Sequence, residues 1–170
     1  DQHGTSIIVG SALLNALQIV NKKIEDIKIV ASGAGAAALS CLDLLCALGV
    51  NKQNIIVADS RGLLTTSRDG LDESKKRYVQ DIQATQLHEV MAGADMFLGL
   101  SAAGILTKEM VKEMAENPII FALANPAWGV ARADLAFHVA SLMPFVVLSE
   151  RNLASTSSQQ KPKALFLFHF

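Results

Sequence analysis

Residues 27–38 read Ile-Lys-Ile-Val-Ala-Ser-Gly-Ala-Gly-Ala-Ala-Ala, an apolar run that enters G-x-G-x-x-A and continues into a further apolar stretch. Few local patterns narrow the choice of fold more. The run predicts a short buried strand over 27–31 and a helix over 36–48 that stops near Gly49. Strand, glycine turn and helix in that order build the corner that grips a pyrophosphate in dinucleotide-binding folds. Each small residue has a steric reason. Gly33 permits the tight turn, Gly35 leaves the backbone bare where an anion approaches, and Ala38 lets the helix pack close to the sheet. The helix N-terminus then offers N–H groups and a partial positive charge. The competing reading is a Gly/Ala turn that packs a helix and binds nothing.

The rest of the chain continues the alternation. A first helix is expected behind a cap at Thr5 or Ser6. A second strand over 54–58 ends at Asp59, an excursion fills 62–72, and helices follow over 73–79 and 85–91. Strands over 95–100 and 118–123 flank a loop over 101–106 and a helix over 108–115 capped by Thr107. Strands alternating with helices at this spacing imply an α/β fold, a Rossmann-like doubly wound parallel sheet covered on both faces. A length of 170 residues suits a single domain, expected over 1–148. Residues 149–163 are polar and low in complexity, so 149–170 is expected to be a disordered tail.

Composition excludes several functions. Net charge is −1 and the Lys and Arg residues are scattered, which argues against a nucleic-acid footprint. The two cysteines, Cys41 and Cys46, fall on one expected helix at a poor spacing for a bridge, so they read as reduced core thiols of a cytoplasmic protein. The chain has no signal-peptide pattern, and no apolar run reaches the roughly 18 residues that span a membrane.

Three further positions carry candidate chemistry. Asp59 ends the second strand, about 20 residues past the glycine motif, where a carboxylate bonds the adenosine ribose. Arg61, Arg68, Lys75, Lys76 and Arg77 lie nearby or downstream, and any of them would meet a 2′-phosphate and favour NADP over NAD. The loop Gly99-Leu100-Ser101-Ala102-Ala103-Gly104 is small enough for a cofactor to lie over its backbone. A nucleophile elbow at Ser101 is the rival reading, weakened by Ala103 in place of glycine and by the lack of a well-placed histidine. Asn125-Pro126 closes the fourth strand, where the amide either meets substrate or nicotinamide, or simply makes a turn.

Taken in order, five blocks resemble the NAD-binding domain of malic enzymes, the bacterial type more closely. They are Asp1-Gln2-His3-Gly4-Thr5, Ser32-Gly33-Ala34-Gly35-Ala36-Ala37, Asp59-Ser60-Arg61-Gly62, Phe97-Leu98-Gly99-Leu100-Ser101-Ala102-Ala103-Gly104 and Phe121-Ala122-Leu123-Ala124-Asn125-Pro126. The resemblance covers residues 1–126 and implies NAD or NADP together with Mg²⁺ or Mn²⁺ as cofactors. It implies cofactor contacts at Thr5, Gly33, Ala34, Gly35, Ala36, Ala37, Asp59, Ser101 and Ala102, a substrate contact at Asn125 and a metal-binding carboxylate at Asp1. The implied activity is the oxidative decarboxylation of malate to pyruvate and CO₂ by a homo-oligomeric enzyme. The same resemblance places the general acid (Tyr), the general base (Lys) and two more metal carboxylates before the position of Asp1. After Pro126 the family's Gly-Arg-Ser-Asp-Tyr-Pro-Asn-Gln-Val-Asn-Asn stretch is not found. These 170 residues alone are therefore expected to bind cofactor without turning over malate; the alternative is a catalytically silent dinucleotide-binding module.

Overall fold

Short apolar runs, each buried on both faces, set the centre of the fold. The computed structural model describes residues 2–102 and 104–123 and the strands Phe145–Leu148 and Ala164–Leu167. Strands β1 (Ile29–Ser32), β2 (Ile55–Asp59), β3 (Gly62–Leu63), β4 (Met96–Gly99) and β5 (Ile119–Ala122) form one sheet in the order β3-β2-β1-β4-β5. All neighbours run parallel except β3, which turns back antiparallel on β2. Side chains alternate between two cores, as a period of two requires. Ile29, Ala31, Ile55, Val57, Met96, Leu98, Ile119 and Phe121 enter one core, whereas Val30, Ala58, Phe97 and Ile120 enter the other.

Helices α1 (Gln2–Val20) and α2 (Ala36–Ala47) cover the first face. Val9, Leu13, Ala16, Leu17 and Val20 recur at helical spacing and are buried. Gly10 explains how closely the two helices meet. A Cβ there would lie 3.0 Å from Leu48 Cδ1 and 3.1 Å from Leu44 Cδ2. The other core is closed by a 3₁₀ turn at Leu87–Val90 and by α4 (Lys108–Glu113), through Val90, Met91, Leu106, Val111 and Met114. Thr107 caps α4, its hydroxyl accepting the Met110 N–H at 3.3 Å.

The order of strands places the site. β2 lies on one side of β1 and β4 on the other, so the chain leaves β1 in opposite directions and a crevice opens at their carboxyl ends. Ser32, Asp59 and Gly99 end their strands on this one edge.

Four expectations need correction. Helix α1 begins at Gln2, so Thr5 and Ser6 lie inside it instead of capping it; Ser6 is buried. The helix expected over 73–79 is the single turn α3 (Glu73–Lys76), because Tyr78 turns inward and Gln80 bridges to Thr65. The helix expected over 85–91 is only the 3₁₀ turn, held by Glu89, whose carboxylate accepts the N–H groups of Thr85 and Gln86 at 2.8 and 2.6 Å. Within the expected tail, Ala164–Leu167 is a strand paired in parallel with Phe145–Leu148, and its Ala-Leu-Phe-Leu run has the aromatic and aliphatic composition that suits a strand. Residues 149–163 lie outside the described residues.

Candidate functional site

Gly33 makes the corner. Its φ of +120° is open to glycine and strained for other residues, and a Cβ there would press on the backbone of Leu100 and Ser101, both at 3.2 Å. The turn is pinned on both sides: the Gly33 N–H donates to Ala58 O at 2.8 Å, and the Leu100 N–H donates to Ser32 O at 2.8 Å. Gly35 differs. Its φ of −78° suits any residue, and beyond its two chain neighbours no atom lies within 4 Å of where its Cβ would be. The apo fold therefore does not require glycine at position 35. The position is open to solvent at the N-terminus of α2, where the first helical amides lack partners within the helix.

A cleft of about 740 Å³ opens there, a size typical of small-molecule sites. Gly33, Ala34, Gly35 and Ala36 form its floor, Leu100 and Ser101 one wall, and Asp59, Asp72, Lys75 and Arg77 the other. Ser101 Oγ shares a 2.7 Å hydrogen bond with the buried Ser32 hydroxyl across the crevice. Among the described residues the partner of the Ser101 hydroxyl is another hydroxyl, that of Ser32, which gives the nucleophile-elbow reading no support there.

The electrostatic centre of the cleft is Asp59. Its Oδ1 accepts the Arg61 N–H at 2.9 Å and Arg68 Nη1 at 2.9 Å; its Oδ2 accepts Arg68 Nη2 at 3.1 Å and Lys75 Nζ at 3.3 Å. Four donors occupy the four acceptor positions of the carboxylate. Burial pushes its pKa up, but the hydrogen bonds from Arg68, Arg61 and Lys75 outweigh it, and the value falls to about 2. The cations are not equivalent. Arg68 is committed, since its Nη1 also donates to the carbonyls of Gly62 and Leu63, both at 3.1 Å. Lys76 pairs with Glu73 at 2.6 Å. Lys75 lines the cleft and makes the longest bond to Asp59, so it is the cation most readily drawn to an incoming group.

A second carboxylate organises the far wall. Asp43 projects from α2 and accepts the Tyr78 hydroxyl at 2.6 Å, while Arg77 Nη1 reaches both its oxygens at 3.1 Å. Tyr78 is buried, with Lys52 Nζ 5.0 Å from its ring centroid. Asp72 caps α3 through the Lys75 N–H at 3.0 Å and also pairs with the Ser74 hydroxyl.

Of the residues the sequence singled out, Gly33, Ala34, Gly35, Ala36, Asp59 and Ser101 meet at this cleft. Ala37 lies half-buried one step further along α2, and exposed Ala102 follows Ser101. Thr5 lies half-buried in the first turn of α1 and is not among the residues lining the cleft. Asp1 and Asn125 lie outside the described residues. Among the described residues, no three His, Cys, Asp or Glu side chains gather into a group able to hold a metal ion. Sequence reasoning missed Asp43, Asp72 and Tyr78. Two signals were visible: Asp43 is the lone charged residue of α2, and Tyr78 is the only tyrosine.

The pH dependence of stability follows from Asp59. A carboxyl whose folded pKa lies below its ordinary 3.8 stabilises the fold above that value, and the contribution disappears as pH falls toward 2. In Asp59→Asn, urea midpoints should lie below wild type at pH 7 and converge with it between about pH 4 and pH 2. A gap that stays constant over that range would show that the Asp59 charge does not stabilise the fold.

Comparison with known proteins bears on the same segment. A family model described as malic enzyme, NAD binding domain, matches residues 2–137. The chain is 54% identical over 128 residues to the NADP-dependent malic enzyme of Haemophilus influenzae, covering 74% of this chain and 17% of that protein. It is also 54% identical over 127 residues to the NAD-dependent malic enzyme of Rhizobium meliloti, covering 74% of this chain and 16% of that protein. The crystal structure of NAD-dependent malic enzyme from Thermotoga maritima superposes with a TM-score of 0.65 at 37% identity, covering 74% of this chain and 34% of that one. The chain thus spans about a sixth of the length of these curated relatives. It belongs to the malic enzyme family, and the part it matches is that family's NAD-binding domain.

Proposed function

We propose that the chain provides the cofactor-binding part of an enzyme that oxidatively decarboxylates malate. In that reaction the malate hydroxyl gives up its proton and its carbon passes a hydride to NAD(P)⁺; the C3–C4 bond of the resulting oxaloacetate then breaks to release CO₂, and the enolate left behind takes up a proton at C3 to become pyruvate. The role of these residues is to bind and orient. The N-terminus of α2 faces the pyrophosphate over Gly35, the residues following β4 support the nicotinamide side, and the Asp59 cluster faces the adenosine ribose. The observation that carries the reading is the bare Cβ position of Gly35, a space the fold leaves open at a helix N-terminus. Asn125 is assigned to substrate and Asp1 to a divalent cation, Mg²⁺ or Mn²⁺, which when bound stabilises negative charge on substrate oxygens. We place the enzyme in the cytoplasm, working as a homo-oligomer.

The charges around the ribose end favour NADP. Asp59 is filled by its own donors, so a ribose hydroxyl must displace one of them, and Lys75 makes the longest of the four bonds. A 2′-phosphate instead draws Lys75 toward itself as a charge-assisted partner. Asp72 Oδ2 lies 3.9 Å from the Lys75 ammonium but is mostly exposed, so water screens it.

Two measurements check these assignments. Gly35→Val should stay folded, losing about 1 kcal/mol because valine is a poor N-cap, while titration of NADPH by its fluorescence shows binding at least about tenfold weaker. Equal affinity in the two proteins would remove the pyrophosphate from Gly35. Lys75→Gln should lower the NADPH-to-NADH affinity ratio about tenfold, the loss of one charge-assisted bond. An unchanged ratio would mean that Lys75 does not meet the 2′-phosphate.

A further inference from the structure

Asp43 and Arg77 line the cleft and, with the buried Tyr78, form a cluster separate from the glycine turn. Its position gives it a different task. Lys75 sits on α3, a single turn of four residues, and so short a helix does not hold its own shape. Something outside the helix must fix where the Lys75 ammonium points. At the entry, the Asp72 carboxylate holds the Lys75 N–H at 3.0 Å. At the exit, the Tyr78 N–H donates to the Lys75 carbonyl at 2.9 Å, so the backbone of Lys75 moves with Tyr78. Tyr78 is only 1% exposed, and its hydroxyl reaches across to α2, the helix whose N-terminus opens the cleft.

We propose that Asp43 and Tyr78 are positioning residues for cofactor choice. Their 2.6 Å hydrogen bond, with Arg77 gripping both carboxylate oxygens, ties the 72–78 segment to α2 and holds Lys75 at the 2′ position of the adenosine ribose. The proposal rests on the dinucleotide reading and adds to it the device that aims the discriminating cation. Burial and the neighbouring Asp43 keep the Tyr78 hydroxyl protonated well above the neutral range, so it stays a donor wherever the enzyme works. The device links the floor and the far wall of the cleft through one carboxylate. A small movement of Tyr78 therefore changes the reach of Lys75 without touching Gly33 or Gly35.

The test is a double-mutant cycle on the full chain, reading affinities for NADPH and NADH by nicotinamide fluorescence and melting temperature alongside. Tyr78→Phe keeps the ring and the charge balance and removes only the hydroxyl. The NADPH-to-NADH affinity ratio should fall about fivefold, as expected for one lost hydrogen bond. In the Lys75→Gln background the same change should leave the ratio where it is, because the latch acts through Lys75. Asp43→Asn, which removes the charge that both Arg77 and the Tyr78 hydroxyl meet, provides the same comparison if Tyr78→Phe folds poorly. A ratio unmoved in the wild-type background, or one that falls equally in both backgrounds, overturns the positioning role. Loss of both affinities in equal proportion does so too, since it marks a purely structural staple. Failure of the unmodified chain to bind either nucleotide would instead overturn the dinucleotide reading beneath it.

Discussion

The left-handed turn at Gly33 is the constraint from which the site follows. Any side chain there would meet the backbone entering the loop after β4 at 3.2 Å, so the ends of β1 and β4 can come together only around a glycine. That contact fixes where β1 stops and at what angle α2 leaves. It also leaves Gly35 facing open space. The two glycines of one motif thus answer to different demands. The first is required by packing, and the second is explained by what the packing leaves empty. A sheet whose order reverses beside β1 turns that local geometry into a crevice, with the helix dipole of α2 aimed into it.

The charges of the cleft are nearly self-satisfied, which shapes how it can respond to a ligand. Asp59 is surrounded by four donors, and Asp43 by a guanidinium and a phenol. Such a site is held in shape before anything binds, and this reduces the ordering that binding must impose. It also means that a ligand competes with internal partners. The balance lies with the weakest internal contact, that of Lys75, rather than with Arg68, whose remaining bonds fasten the β2–β3 turn. Relatives that use NAD and relatives that use NADP share about the same identity with this chain. The overall likeness therefore does not choose between the two cofactors.

The legible parts of the sequence were those in which local chemistry and tertiary packing agree. The four parallel strands are legible because each is a short apolar run bounded by turn residues, and burial on both faces removes any conflict between propensity and environment; β3, two residues inside the expected excursion over 62–72, and the strands Phe145–Leu148 and Ala164–Leu167 are not. The glycine corner was found because its steric logic is local. The helices expected at 73–79 and 85–91 were over-extended for the opposite reason. The charged run of the first and the amphipathic pattern of the second suit a helix, but Tyr78 and Met91 are pulled into the interior and end them early. Asp59 was placed correctly at the end of its strand, yet its four donors come from positions 2, 9 and 16 residues later in the chain, a convergence that no periodicity encodes. Tyr78 and Asp43, 35 residues apart, are likewise joined only by the fold.

The central claim is that a dinucleotide lies across the α2 N-terminus with its adenosine ribose at Asp59. Amide chemical-shift mapping of the isotope-labelled chain during titration with NADP⁺ tests it most directly. The account predicts that the largest shifts fall at Gly33 to Ala37, at Asp59 to Gly62 and at Leu100 and Ser101, while the opposite sheet edge around Lys28 and Asp95 stays still. Saturable shifts centred elsewhere, or none at saturating nucleotide in a folded chain, would contradict it.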